Sequence, residues 1–324
     1  MSSLKEKLYQ MFILGTQGGE YLTALENNLG GIIFFTYDIH SENQFKDLIQ
    51  ECKNHSKTPP FLSIDQEGGR VERTENIHHG KKYLSAKFAA KNGIDFVEKQ
   101  TKEIAKELKN YGINLNFSPC IDVNTNPNNP IIGERSYSED TDEVIKFGKL
   151  VAKTYRESGI IPCAKHFPGH GDADKDSHLT LPQIKLDFNE LKKYHIKPFK
   201  NLIDEGIEMI MVAHLHIPQF EKEIIPTSLS KSAIQYLRKE LSYEGIIISD
   251  DMVMKGVSDF GALKACEMGI RAGVNIFIYR DSTKETLSMI DELLKIVEND
   301  VELRDKIEDS YNRIILLKKQ FGMI

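Results

Sequence analysis

The sequence is short of the features that mark several large functional classes. Tryptophan is absent, and cysteine occurs four times in 324 residues, at Cys52, Cys120, Cys163 and Cys266. These lie far apart and form no Cys-x-x-Cys pair, which excludes a zinc knuckle and a disulfide framework and leaves reduced, mostly buried thiols as the expectation. No stretch approaches the roughly 20 consecutive apolar residues of a membrane-spanning helix. The opening segment, Met1-Ser2-Ser3-Leu4-Lys5-Glu6-Lys7, lacks the basic start and apolar run of a secretory signal, so the expected location is the cytoplasm. Charge of one sign is not in excess either. The 42 Lys and Arg against 48 Asp and Glu give −6, which argues against a basic nucleic-acid face and, with 40% hydrophobic residues, against a disordered chain. Neither a polyanion nor a membrane is the expected partner. No Gly-x-Gly-x-x-Gly follows an early strand and no P-loop occurs, so neither a dinucleotide nor a nucleoside triphosphate site is expected.

What is present is alternation. Short apolar runs suited to strands recur at Phe12–Leu14, Ile32–Phe35, Phe61–Ile64, Leu115–Ser118, Ile161–Ala164, Met209–Val212, Ile246–Ile248 and Asn275–Tyr279. Longer segments with helical spacing lie between them, among them Phe88–Leu108, Val144–Tyr155, Leu191–Ile203 and Ile234–Leu241. Gly112, Gly159, Gly206, Gly245 and Gly273 each stand just before a strand, where a glycine in the left-handed conformation can end a helix and turn the chain into the sheet. Eight such β/α units predict one α/β domain over residues 1–324, a closed (β/α)8 barrel of the TIM type, with an open doubly wound sheet as the alternative. In a barrel the functional residues gather on the loops after the strands. The two longest irregular stretches, Asn124–Tyr137 and Gly169–Gln183, both follow strands.

The residues at the strand ends are chemically rich. Asp65-Gln66-Glu67-Gly68-Gly69-Arg70-Val71-Glu72-Arg73 follows the third strand, and Asp122-Val123-Asn124 and Gly133-Glu134-Arg135-Ser136 follow the fourth. Lys165-His166-Phe167-Pro168-Gly169-His170-Gly171 closes the fifth, His214-Leu215-His216 the sixth and Ser249-Asp250-Asp251-Met252 the seventh. Carboxylates, cations and imidazoles therefore converge on one mouth. Carboxylates there suit glycoside hydrolysis, where one anion meets an oxocarbenium-like centre and another group delivers a proton to the leaving oxygen. The charged groups around them suit a polyhydroxylated ligand.

Two patterns bear on metals. Asp172-x-Asp174-x-Asp176 begins like an EF-hand loop, but Ser177 stands where the turn glycine belongs and Gln183 where the bidentate Glu belongs, which excludes it. His214-Leu215-His216 resembles part of the ligand set of metal-dependent barrel hydrolases, although an alternating strand points two such histidines the same way for structural reasons too. A zinc hydrolase, tested by chelation and zinc restoration, is an alternative, and no metal or organic cofactor is assigned. A non-catalytic sugar-binding barrel is a second alternative.

The motif set as a whole resembles glycoside hydrolase family 3. It comprises Asp65-Gln66-Glu67-Gly68-Gly69-Arg70, Asn116-Phe117-Ser118-Pro119, Ile132-Gly133-Glu134-Arg135-Ser136, Lys165-His166-Phe167-Pro168-Gly169-His170-Gly171, Asp176-Ser177-His178 and Ser249-Asp250-Asp251-Met252, in that order. Within the family it is similar to the NagZ-type β-N-acetylglucosaminidases of cell-wall recycling. The resemblance implies a retaining β-N-acetylhexosaminidase with Asp250 as nucleophile, Asp251 being its neighbour and fallback. His178 matches the subfamily's acid/base and Asp176 its partner; imidazole titrates near neutrality and can both give and take the proton. Asp65, Arg73, Arg135, Lys165 and His166 match the residues that bind the non-reducing sugar, with Glu67, His170 and His214 supporting them.

The implied substrate is an N-acetylglucosaminyl anhydro-muramoyl fragment of peptidoglycan, with or without its peptide, handled by a monomer. Relatives acting on glucosides or xylosides usually carry a further domain that supplies their proton donor. Here one barrel is expected to use the whole chain, so the donor is expected on a barrel loop. The same chemistry could pass the sugar to phosphate instead of water, and the residues do not separate the two acceptors.

Overall fold

A computed structural model describes residues 2–173 and 181–324. Its eight strands are β1 (Phe12–Gln17), β2 (Gly31–Phe34), β3 (Phe61–Ile64), β4 (Leu115–Asn116), β5 (Ile161–Phe167), β6 (Met209–Val212), β7 (Ile246–Asp251) and β8 (Ile276–Asp281). They pair in parallel in chain order, and β1 closes on β8, giving the barrel that the alternation predicts rather than an open sheet. β2, β3, β5 and β6 are buried along their whole length, because side chains fill the barrel inside while helices cover it outside. Among the described residues no helix is long and apolar enough to cross a membrane.

The strands depart from the apolar runs at their ends. β5 continues through Lys165 and His166, and β7 through Asp250 and Asp251, since backbone pairing does not stop where side chains turn polar. β4 is shorter than expected, ending at Asn116, with Pro119 just beyond and unable to donate to a ladder. Phe88–Leu108, expected as one helix, is two: Ala86–Lys91 and Ile94–Tyr111, separated at Gly93, whose φ of 92° no helix can contain. The segment from Leu191 starts as a wider π-type turn, Leu191–Ile196, before the α-helix Lys197–Asp204. Pro198 supplies no N–H to the carbonyl of Tyr194, and the Thr141 hydroxyl donates to that carbonyl instead at 3.3 Å.

Four of the five expected glycine stops, Gly112, Gly159, Gly206 and Gly273, have positive φ. Gly245 does not. The left-handed residue of that turn is Ser242, at φ 58°, and Gly245 is needed for space. A Cβ there would lie 2.4 Å from Tyr243 Oη and 2.6 Å from the Glu208 carbonyl oxygen.

At the floor of the barrel, the helix Val301–Gln320 buries Lys318 completely. Its Nζ donates to Gln10 Oε1 at 2.7 Å and to the Gly30 carbonyl at 3.2 Å, above the Phe61 ring at 4.7 Å. All four cysteines are free and buried.

Candidate active site

The opposite, C-terminal end of the barrel holds a cleft of about 480 Å³. Asp65, Arg73, Arg135, Lys165, His166 and Asp250 all line it. Asp176 and His178 lie outside the described residues.

Two irregularities in the sheet let neighbouring residues face this cleft together. The β5–β6 register shifts between Lys165 and Phe167, and the β7–β8 register shifts between Ile248 and Asp251. In regular strands successive side chains take opposite faces; a bulge re-aims one of them. Lys165 with His166, and Asp250 with Asp251, therefore all reach the cleft. The Lys165–His166 peptide is cis.

Behind the cleft wall runs a chain of buried charges. Lys165 Nζ is 2.6 Å from Asp65 Oδ1 and 2.6 Å from Glu67 Oε1. Glu67 in turn receives Arg135 through two bonds, Nε to Oε2 at 3.0 Å and Nη2 to Oε1 at 2.8 Å. Burial alone would raise the Glu67 carboxyl, but Arg135 and Lys165 outweigh it and hold the group well below the usual carboxylate range. Burial would likewise strip Lys165 of its proton, and Asp65 and Glu67 reverse that, keeping it charged. Two long cations are thus fixed as donors with their countercharges supplied from behind, so they meet a ligand already oriented.

His166 is fixed in the same manner. Its Nδ1 lies 2.7 Å from Asp122 Oδ2, and Asp122 also accepts from the backbone N–H of His166 at 3.2 Å and of His170 at 2.6 Å. Arg135 Nη2 faces the other ring nitrogen at 3.4 Å. Burial of Asp122 is outweighed by His166 and His170, and its carboxyl falls far below the ordinary value. Burial takes the His170 imidazole down to about 4, so it is neutral at pH 7.

Asp250 stands half-buried at the end of β7. Burial raises its carboxyl, but the pull of His166, His214, the Asp251 N–H and Lys165 prevails and keeps it ionised. The Asp251 N–H donates to Asp250 Oδ1 at 2.8 Å. Asp251 is turned to other partners: its carboxylate pairs with Arg280 and accepts from the Val253 N–H at 3.1 Å. His214 Nδ1 sits 2.7 Å from Ser228 Oγ, and its Nε2 is 3.1 Å from the Asp251 carbonyl oxygen. With both ring nitrogens engaged, this histidine supports the β7 end.

Among the described residues, Cys120, Asp122 and His166 bring three ligand-type atoms within 4.8 Å of one another. Asp122 is committed to three N–H groups, and burial with Asp122 raises the Cys120 thiol well above its ordinary value. The cluster therefore reads as a set that orients an imidazole. The sequence places Asp122 after the fourth strand and Arg70 after the third without giving either a role, and Arg280 goes unnoticed. Arg280 stands at the end of β8, the positional signal that could have found it. The cleft can accordingly hold a polyhydroxylated ring among fixed donors and acceptors, with one ionised carboxylate, Asp250, at its β7 side.

Residues 3–317 match the profile of the glycosyl hydrolase family 3 N terminal domain. The chain is 33% identical over 324 residues to beta-hexosaminidase A of Pseudoalteromonas piscicida, covering 90% of this chain and 53% of that protein. It is 32% identical over 265 residues to a beta-hexosaminidase of Neisseria meningitidis serogroup C, covering 78% of this chain and 72% of the relative. Among solved structures it superposes on a family 3 beta-N-acetylglucosaminidase from Paenibacillus sp. str. FPU-7 with a TM-score of 0.93 at 30% identity, over 100% of this chain and 63% of that one. It superposes on LpqI of M tuberculosis with a TM-score of 0.87 at 27% identity, over 97% and 93%. The chain thus spans about half of the Pseudoalteromonas protein and under two thirds of the Paenibacillus one.

Proposed function

The chain belongs to glycosyl hydrolase family 3, and on that premise we propose that it is an exo-acting, retaining β-N-acetylhexosaminidase built on one barrel domain over residues 1–324. It removes a terminal non-reducing N-acetylglucosamine from peptidoglycan-derived fragments, working as a monomer in the cytoplasm. The observation that carries the reading is the cleft itself: a fixed ring of Asp65, Lys165, Arg135 and His166, with a half-buried, ionised Asp250 on its β7 side. Family members named beta-hexosaminidase and beta-N-acetylglucosaminidase support the choice of sugar.

In this mechanism Asp250 Oδ attacks the anomeric carbon as the leaving oxygen takes a proton, forming a glycosyl ester that water then hydrolyses with net retention. An ionised carboxylate suits attack, and Asp251, held by Arg280, is less suited to it. Asp65, Lys165 and His166 hold the ring hydroxyls, while Arg73 and Arg135 complete the grip. His178, partnered by Asp176, is assigned the proton transfers through its motif.

A 2-deoxy-2-fluoro glucoside with an activated leaving group, its fluorine standing where the acetamido group would be, followed by peptide mapping, tests the reading. A stable adduct on Asp250 is expected; inversion of configuration, or label on Asp251, overturns the assignment. Running the turnover assay with and without phosphate decides the acceptor, since sugar 1-phosphate would mark a phosphorylase. Replacing His178 is expected to slow poor leaving groups far more than activated aryl glycosides, and equal losses would remove it from the acid/base role.

A further inference from the structure

The loop after β3 lines the cleft and carries Arg73 on a stretch in which burial alternates: Glu72 and Thr74 are buried, and Arg73 is partly open to the cleft. One side of this stretch is anchored by Gln66, fully buried, whose Oε1 accepts from the Arg73 N–H at 2.7 Å and whose Nε2 donates to Thr74 Oγ1 at 3.1 Å. The Arg73 guanidinium rests over the Phe35 ring at 5.7 Å. Its Nε is buried and has no hydrogen-bond partner among the described residues.

The other side is anchored by a buried contact between a carboxyl and an imidazole. Glu72 Oε1 lies 2.9 Å from His78 Nε2, with 8% and 5% of their side chains exposed. The Tyr83 backbone N–H donates to Glu72, and the Tyr83 hydroxyl donates to Glu107 Oε2 at 2.7 Å. Glu75 from the loop and Glu107 from the helix Ile94–Tyr111 add like charge beside Glu72. Lys81 lies over the Tyr83 ring and is paired with Glu103 at 2.7 Å. His79 on the same loop is paired with Glu42 outside this group.

We propose that the buried contact between Glu72 and His78 positions Arg73 for sugar binding. The reason is electrostatic. Without His78, the Glu72 carboxyl is left buried beside Glu107 with only the Tyr83 N–H to meet it, and the cheapest relief is to open the loop toward water. Arg73 leads into the cleft from the very next residue, so its long side chain loses its preset direction first. Burial and Glu107 already raise the Glu72 carboxyl, which marks how much this corner depends on its one imidazole. His78 touches neither cleft nor substrate; it acts through Glu72 and Arg73.

The inference rests on the cleft being a sugar site, and the test separates the two. KM and kcat for 4-nitrophenyl N-acetyl-β-D-glucosaminide, and inhibition by free N-acetylglucosamine, are measured for the wild type, H78Q, E72Q and the double variant. Each single variant is expected to raise KM and the inhibition constant roughly tenfold with kcat within about twofold, and the double variant to be no worse than either single one. Unchanged KM in the single variants, or a loss confined to kcat, overturns the proposal. If a glutamine variant does not fold, H78N and E72D are measured in its place, and unchanged KM in these overturns it equally. A wild type that neither cleaves the aryl glycoside nor binds the sugar instead sinks the functional reading.

Discussion

Asp122 holds His166 by its ring and by its backbone at once: Oδ2 lies 2.7 Å from Nδ1 and 3.2 Å from the N–H of the same residue. Arg135 Nη2 faces the other ring nitrogen at 3.4 Å, so both edges of the ring are held. One carboxylate thereby sets the orientation of a cleft-facing imidazole. It has no contact with the cleft itself.

Asp122→Asn is the direct consequence to test. Its amide places an N–H₂ where three N–H groups converge, so at least one buried donor loses its acceptor. A loss of about 2–3 kcal/mol in chemical denaturation is expected, together with weaker sugar binding. Unchanged affinity would show that His166 keeps its direction without Asp122.

Glu67→Gln removes the one charge shared by Lys165 and Arg135. Because both cations are buried, the expected cost is roughly 3 kcal/mol, well above the 0–1 kcal/mol of a surface pair. Glu67 is held below its unfolded value of 4.5, so its contribution is present above that pH and is lost as pH falls toward the folded value. Acid unfolding of the variant should accordingly depend less steeply on pH than that of the wild type.

Gly171→Ala should be among the most damaging small substitutions in the chain. A Cβ there would stand 1.7 Å from the Val123 carbonyl oxygen, so the loops after β4 and β5 must separate. About 3 kcal/mol or more is expected in thermal or denaturant unfolding. Gly206→Ala makes the contrast: its φ is 74° but nothing lies within 4 Å, and only the backbone strain of roughly 1–2 kcal/mol is expected.

Lys318 gives a pH signature of stability. Burial brings its ammonium from 10.5 down to about 7, and the neutral amine keeps two N–H donors for its two acceptors, Gln10 Oε1 and the Gly30 carbonyl. Between those pH values the unfolded chain binds the proton and the folded one does not, so stability rises with pH from about 7 toward 10.5. Across that window the wild type should gain on the order of a few kcal/mol relative to Lys318→Met. Parallel pH curves for the two proteins would show that Lys318 is charged in the folded state.

The barrel was legible in the sequence because each β/α unit is local. An apolar run, a helical period and a turn residue follow one another within a few tens of residues, and eight repeats leave little else to build. Where local signals failed, a neighbour distant in sequence was responsible. Gly245 was read as a helix stop, but its reason is the Tyr243 hydroxyl and the Glu208 carbonyl packed against its Cα. The break at Gly93 shows the reverse, a local signal hidden inside a longer helical period.

The cleft divides along the same line. By itself the sequence determined which residues stand at the C-terminal ends of the strands, since strand position follows from local pattern, and the order of its motifs placed the chain beside a family. Only the tertiary structure decided how those residues are coupled. Lys165 meets Asp65 and Glu67, Glu67 meets Arg135, and Asp122 meets His166, pairs separated by 44 to 100 positions. Charges so far apart along the chain come within bonding distance only when the sheet closes, and their strength there comes from the water that the closed barrel excludes.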